Sequence, residues 1–320
     1  MTTYRELHGK AVKTVTTNPT DDAAEGQIWF NSTDNTFKSV VTTQAFSSTG
    51  VLNTARGWMG SAGDKTAGIV FGGSINPYPT FSALTEEYNG TGWSVQATCP
   101  SALAGIGSTG TGTQTAALQF GANGGTGYTN DSAHYNGSSW TAGGDMNITG
   151  RDRSGAGTQT AGVSAFGKLT PAVTNFAAEY NGSGWSTTGT GNTARAYMAG
   201  FGIQTAAYFS GGYNGTALNN SESYNGSTFS NGPTIGTARW YVGGAGTSTA
   251  GLIYLGTTPG STVANTEEWN GSSWSEVNDN PTARRTGNGF GTQTAAVAAG
   301  GMPNTTTTSQ EYDGTNWTSG

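Results

Sequence analysis

The sequence predicts an all-β fold in which six sheets of four short strands stand radially and close into a ring. Three observations predict it: a string of fixed pattern recurs six times at a near-constant interval, glycine supplies 53 of the 320 residues, and no window shows apolar residues at helical spacing. Short runs rich in Thr, Val, Tyr and Phe, broken by glycine, are strand signals instead.

The recurring string is aromatic-Asn-Gly-x-x-aromatic. It occurs as Tyr88-Asn89-Gly90 with Trp93, Tyr135-Asn136-Gly137 with Trp140, Tyr180-Asn181-Gly182 with Trp185, Tyr224-Asn225-Gly226 with Phe229, Trp269-Asn270-Gly271 with Trp274, and Tyr312-Asp313-Gly314 with Trp317. Its glycines lie 47, 45, 44, 45 and 43 residues apart. Asn-Gly tolerates the positive φ of a tight hairpin turn, so a strand ends at the first aromatic and another starts at the second. A second element keeps the same interval: Thr113-Gln114-Thr115-Ala116, Thr158-Gln159-Thr160-Ala161, Ile203-Gln204-Thr205-Ala206 and Thr292-Gln293-Thr294-Ala295, with Lys65-Thr66-Ala67 and Ser248-Thr249-Ala250 in the other registers. An apolar run ending in glycine follows each, and Arg56, Arg151, Arg195, Arg239 and Arg284 stand eight or nine residues ahead in five copies. Each period thus reads as four strands: one after the Arg, one carrying the apolar run, one ending at the Tyr and one starting at the Trp.

Four strands in about 45 residues, repeated six times, predict a β-propeller, whose radial repetition leaves only short sheet edges. Glycine suits the crowded strands near the central channel, and the aromatics (12 Phe, 9 Trp, 13 Tyr) fill the wider gaps between blades. A straight solenoid would call for capping units, and none is visible.

A run ending in Gly-Gly, then Tyr followed by Asn or Asp, then Trp, resembles the kelch repeat over Asn53 to Gly320. The resemblance implies a six-bladed kelch-like propeller. Gly-Gly is intact only at Gly72-Gly73, Gly211-Gly212 and Gly300-Gly301, and copy two lacks the Arg. The Gly-His and Trp-Asp pairs of WD repeats are missing, and Asn adjoins Gly here, unlike the sialidase Asp box.

Copies with the Arg mostly carry a Glu before the aromatic, which predicts repeated, partly buried ion pairs: Arg56 with Glu87, Arg151 with Glu179, Arg239 with Glu268 and Arg284 with Glu311. Copy two has neither, with His134 in the place of the Glu.

Residues 1–50 lack both repeat elements and form a separate attachment segment ahead of the propeller at 51–320. Gly26 to Asn31 and Asn35 to Val41 read as a hairpin around Ser32-Thr33-Asp34. The stretch resembles hairpin segments of bacteriophage tail-fibre and other virion proteins, and the repeats resemble kelch-like virion proteins of marine bacteriophages. These resemblances imply a virion location, with other virion proteins as partners through residues 1–50. Met1 to Val12 lacks the charged-then-apolar layout of a secretory signal.

Composition narrows the chemistry. The formal net charge is −6 with only 13 Lys and Arg, against nucleic-acid binding. No apolar span is long enough for a membrane helix. One cysteine, Cys99, and two histidines cannot build a thiolate or His-rich metal site, and no spaced oxygen-ligand run is visible around Asp131 or Asp279. No metal and no cofactor are expected. The carboxylates Glu86, Glu87, Asp131, Glu179, Glu222, Glu267, Glu268 and Glu311 recur with the repeat, so they read as blade structure rather than as a paired acid and base. The chain is expected to be a non-enzymatic virion structural protein. The alternatives are a capsid-decoration protein without a receptor role and a carbohydrate-active enzyme. Loops between second and third strands gather on one face of a propeller, and here they carry Tyr78, Phe81, Tyr128 and Tyr213, suited to a host surface glycan or receptor.

Overall fold

A computed structural model of the chain describes residues 13–16, 28–39, 50–285 and 288–319, and every regular element among them is a β-strand. The chain divides into two compact units, residues 1–47 and 48–320.

In the first unit, Ile28–Asn31 and Thr36–Ser39 form the predicted antiparallel hairpin. The Asn31 side-chain oxygen accepts the Thr33 and Asp34 amides (2.9 and 3.2 Å), and Phe30 packs edge-on against Phe37. A third strand, Lys13–Val15, pairs parallel with Ile28–Asn31, which the sequence did not suggest. The flanking positions 26–27 and 40–41 of the expected hairpin lie outside the described residues.

The second unit is a six-bladed β-propeller. Blade 1 comprises Gly60–Asp64, Ala67–Phe71, Thr85–Tyr88 and Trp93–Gln96. Blade 2 comprises Gly107–Ser108, Leu118–Asn123, Tyr128–Tyr135 and Trp140–Ala142, and blade 3 Ser154–Gly157, Gly162–Ala165, Ala177–Tyr180 and Trp185–Thr187. Blade 4 follows with Ala199–Ile203, Ala206–Ser210, Ser221–Tyr224 and Phe229–Gly232, and blade 5 with Gly243–Thr247, Ala250–Tyr254, Thr266–Trp269 and Trp274–Val277. Blade 6 is Asn288–Thr292, Ala295–Ala299, Ser309–Tyr312 and Trp317–Ser319. Every blade is one antiparallel meander; in blade 1 a small hairpin, Ser74–Ile75 paired with Thr80–Phe81, is inserted between the second and third strands, and among the described residues no strand is exchanged between blades. The first strands touch one another in cyclic order, blade 6 against blade 1 included, so they line the channel and close the ring. Glycine on these strands makes room for the second strand's aromatics: a Cβ on Gly60 would lie 2.1 Å from the Phe71 ring.

Third and fourth strands join through the predicted turn, but Asn and Gly divide its work. Only the glycine adopts positive φ (Gly90 at 89°), while the Asn89 side-chain oxygen accepts the amides of Thr91 and Gly92 at 3.0 and 2.9 Å. Asn136, Asn181, Asn225, Asn270 and Asp313 repeat this arrangement.

Among the described residues six apolar clusters fill the propeller, one at each blade interface. Polar connectors bridge the same interfaces. The Tyr of one blade donates its hydroxyl to the residue before the aromatic of the preceding blade: Tyr135 to Glu87 (3.0 Å), Tyr224 to Glu179 (2.8 Å), Tyr312 to Glu268 (3.0 Å) and Tyr88 to Glu311 (2.5 Å). Tyr180 meets His134 Nε2 at 2.7 Å, and burial lowers the His134 pKa. At the remaining interface both members differ, with Ser223 preceding the aromatic of blade 4 and Trp269 in the Tyr position of blade 5. Likewise Trp140, Trp185 and Trp317 donate their indole N–H to Thr85, Ser132 and Thr266, whereas Phe229 replaces Trp where Ala177 replaces the hydroxyl. Paired substitutions of this kind avoid stranding a buried polar group.

The glutamates beside the aromatics are therefore occupied, and the ion-pair prediction is corrected. Arg56 pairs with Glu86 at 2.7 Å rather than Glu87, and Arg239 with Glu267 rather than Glu268; Arg195 pairs with Glu222. Arg284 hydrogen-bonds the neutral Gln310 rather than Glu311. Adjacent residues of a strand face opposite sides of the sheet, so a one-position error exchanges the arginine for the neighbouring blade. Arg151 does not hold the repeat position: it contacts Asp152 at 3.0 Å instead of Glu179, and its eight-residue spacing to Gln159 marks the shift. Gly150 stands there, and Arg153 fills the space, its Nη1 donating to Phe166 O at 3.0 Å. Desolvation with no carboxylate beside it lowers the Arg153 pKa to about 10. Blade by blade, arginine and acceptor vary together: Leu103 accompanies Ala133, and Gly150 accompanies Ala178.

Candidate functional site

The segments carrying the repeat arginines and the loops between second and third strands share one face, around the channel mouth. Two residues after the repeat position in blades 1 to 5 stand Trp58, Gly105, Asp152, Tyr197 and Tyr241, all with positive φ between 52° and 64°. Their backbones link blade to blade: Gly105 N–H donates to Trp58 O (3.0 Å), Asp152 to Gly105 (2.8 Å), Tyr197 to Asp152 (3.4 Å) and Tyr241 to Tyr197 (2.7 Å). Left-handed geometry is costly for large side chains. Here it persists where the backbone is tied across the blades, Gly105, Asp152 and Tyr197 to both neighbours and Trp58 and Tyr241 to one.

These side chains, with Met59, Met198 and Val242, line a funnel of about 110 Å³. At its far end Thr111, from the first hairpin of blade 2, bonds the Gly157 and Gly202 carbonyls of blades 3 and 4 at 2.9 and 2.7 Å. That loop lies across the channel floor, so the funnel opens on the mouth side.

Around the mouth runs an aromatic collar. Tyr197 and Tyr241 lie 4.4 Å apart between centroids, Trp58 lies 6.3 Å from Tyr241, and the Arg285 guanidinium sits 5.8 Å over the Tyr241 ring. The four residues singled out from the sequence join it. Tyr78, 53% exposed, packs on Trp58 at 5.3 Å and on Phe81 at 6.3 Å; Tyr213 packs on Trp240 at 5.0 Å; Tyr128 lies under Arg151 at 5.1 Å. The collar's inner members, Trp58, Tyr197, Trp240 and Tyr241, escaped sequence reasoning. A signal was present: an aromatic residue follows the repeat arginine by one or two positions in three copies, at Trp58, Tyr197 and Trp240-Tyr241.

Asp152 is buried in the funnel wall, where desolvation raises its pKa to about 6 against the opposing pull of Arg151, Lys168 and the Tyr197 hydroxyl. The buried Trp58 indole N–H has no protein partner. The rim thus combines flat aromatic faces with the Arg151 and Arg285 guanidinium groups, while the Asp152 carboxyl and the Trp58 indole N–H are buried. Cys99 is buried elsewhere, between blades 1 and 2, and burial pushes its thiol up to about 11. Among the described residues no three His, Cys, Asp or Glu side chains cluster as metal ligands would.

Fold and rim together define a six-bladed propeller with a floored channel and an aromatic-rimmed mouth. Comparison with models of known protein families and with curated proteins finds no match to this chain.

Proposed function

We propose that this chain is a non-enzymatic structural protein of a bacteriophage virion, a kelch-like propeller held to the particle through residues 1–50 and binding host surface glycan with its aromatic collar. The observation that carries the reading is the collar itself: Trp58, Tyr78 and Phe81 form a continuous, partly exposed aromatic surface beside polar groups, where pyranose rings stack and hydroxyls find partners. The repeated carboxylates support a non-enzymatic role, because Glu86, Glu222 and Glu267 pair with arginine and Glu87, Glu179, Glu268 and Glu311 accept tyrosine hydroxyls. The resemblance of Gly26 to Asn31 to tail-fibre hairpins supports the virion assignment.

The test is a glycan-array screen of the full chain with the Trp58→Ala and Tyr78→Ala variants. The expected result is saturable binding to a defined glycan, weakened about tenfold or more by either substitution, as loss of a stacked ring predicts. Binding insensitive to both variants, or no binding, overturns the glycan role. Immunogold labelling of purified phage particles tests the location, and unlabelled particles refute it. Polysaccharide turnover lost on replacing one carboxylate would establish the enzymatic alternative.

A further inference from the structure

On the face opposite the collar, four interfaces share a staple. The glutamine of the Gln-Thr-Ala element donates its carboxamide NH2 to two carbonyls of the preceding blade. Gln114 bonds Gly68 O and Tyr88 O (3.0 and 2.8 Å), Gln159 bonds Ala117 O and Tyr135 O, Gln204 bonds Gly162 O and Tyr180 O, and Gln293 bonds Gly251 O and Trp269 O. At the blade 6–blade 1 interface Lys65 takes this place and reaches Glu311 at 3.1 Å. At the blade 4–blade 5 interface the residue is Ser248, too short to reach across.

The counterparts of the stapled carbonyls there belong to Ala207 and Tyr224, paired across the ladder as Gly251 and Trp269 are in blade 5. Both residues line a cavity of about 390 Å³, together with Ser248, Tyr208, Gly232 and Trp269. We infer that this cavity is a binding site for a primary carboxamide, such as a glutamine or asparagine side chain presented by a partner protein.

Three observations point to that chemistry. The other copies demonstrate that this backbone geometry accepts a carboxamide NH2 on two carbonyls at 2.6–3.3 Å. An ammonium group suits the site less, because the carboxylate that Lys65 meets at Glu311 is replaced here by Ser223. The third is the cavity wall, where the Tyr208 hydroxyl has no protein partner although the residue is only 3% exposed. It lies directly over Gly232, where a Cβ would come within 2.0 Å of it. Tyr208 and Trp269, stacked at 4.6 Å and 25°, present flat walls that a planar amide can lie against.

The test titrates propionamide, the glutamine side-chain fragment, into the full chain and into Ser248→Gln, followed by NMR of the backbone amides. The expected result is saturable shifts at Ala207, Tyr208 and Tyr224 in the parent chain, with affinity reduced about tenfold or more in Ser248→Gln. Propylammonium should produce none. Shifts of equal strength in both proteins, an equal response to propylammonium, or no saturable shift each overturn the inference. Should Ser248→Gln fail to fold, crystals of the parent chain soaked in propionamide decide. Amide nitrogen within hydrogen-bonding reach of the Ala207 and Tyr224 carbonyls upholds the site, and its absence there refutes it.

Discussion

Replacing Glu267 by alanine should be among the most destabilising single changes in this propeller. The Arg239 side chain is fully buried, and its guanidinium faces Glu267 together with the carbonyls of Leu255 and Thr237 at 3.0 and 3.1 Å. Alanine leaves that cation buried without its counter-charge, at a cost of about 3–5 kcal/mol. For a domain of this size 1 kcal/mol moves the melting temperature by roughly 2–4 °C, so the expected drop is ~10 °C. Two controls come from the molecule's own copies. Glu267→Gln imitates Gln310 of blade 6 and should cost about 1 kcal/mol, since a hydrogen bond to the guanidinium survives. Arg239→Leu combined with Glu267→Ala imitates Leu103 and Ala133 of blade 2 and should cost clearly less than the two single changes summed. Glu268→Ala, one residue on, loses only the Tyr312 hydroxyl and should cost about 1 kcal/mol. Thermal and guanidinium unfolding of the parent chain and five variants, Arg239→Leu alone among them, reads all of this. Glu268→Ala as damaging as Glu267→Ala, or an additive double variant, would refute the pairing and its energetics.

Two further outcomes are expected. Asp152 has a folded pKa near 6 against an ordinary 3.8, so its protonated form adds stability that is full below about pH 4 and gone above about pH 6. The swing is roughly 3 kcal/mol by linkage. Asp152→Asn should therefore gain on the parent chain between pH 4 and 7, and a flat difference in unfolding free energy contradicts this. Thr111→Val removes the hydroxyl shared by blades 3 and 4, so calorimetry should show a loss of about 1–2 kcal/mol; no loss would mean that the floor loop is not held by that side chain.

The propeller was legible because the turn string, the Gln-Thr-Ala element and the arginine repeat with one period, and each marks a strand boundary. The partner of each arginine was harder to read. Glu86 and Glu87 are adjacent and alike, and only the pleat decides which faces the arginine of its own blade and which the tyrosine of the next. Comparing copies could have resolved it, since Ala133 and Ala178 appear where the arginine is missing. The collar was half visible. Tyr78 and Tyr213 sit in variable connections, with Phe81 and Tyr128 on the strands Thr80–Phe81 and Tyr128–Tyr135 that border such connections, whereas Trp58, Tyr197 and Tyr241 occupy left-handed positions with no glycine to announce them. The Ser248 cavity is a departure from the repeat, evident only once the role of glutamine is known.

Because every blade is a complete meander, the joint between the last sheet and the first resembles the other five. Gly301 N–H meets Arg56 O at 2.9 Å, just as Gly212 meets Arg239 and Gly256 meets Arg284. The order of sheets around the circle is thus independent of where the polypeptide is cut. A permuted gene that opened the chain between blades 3 and 4, with a linker spanning the present seam, would encode the same rosette with its ends relocated.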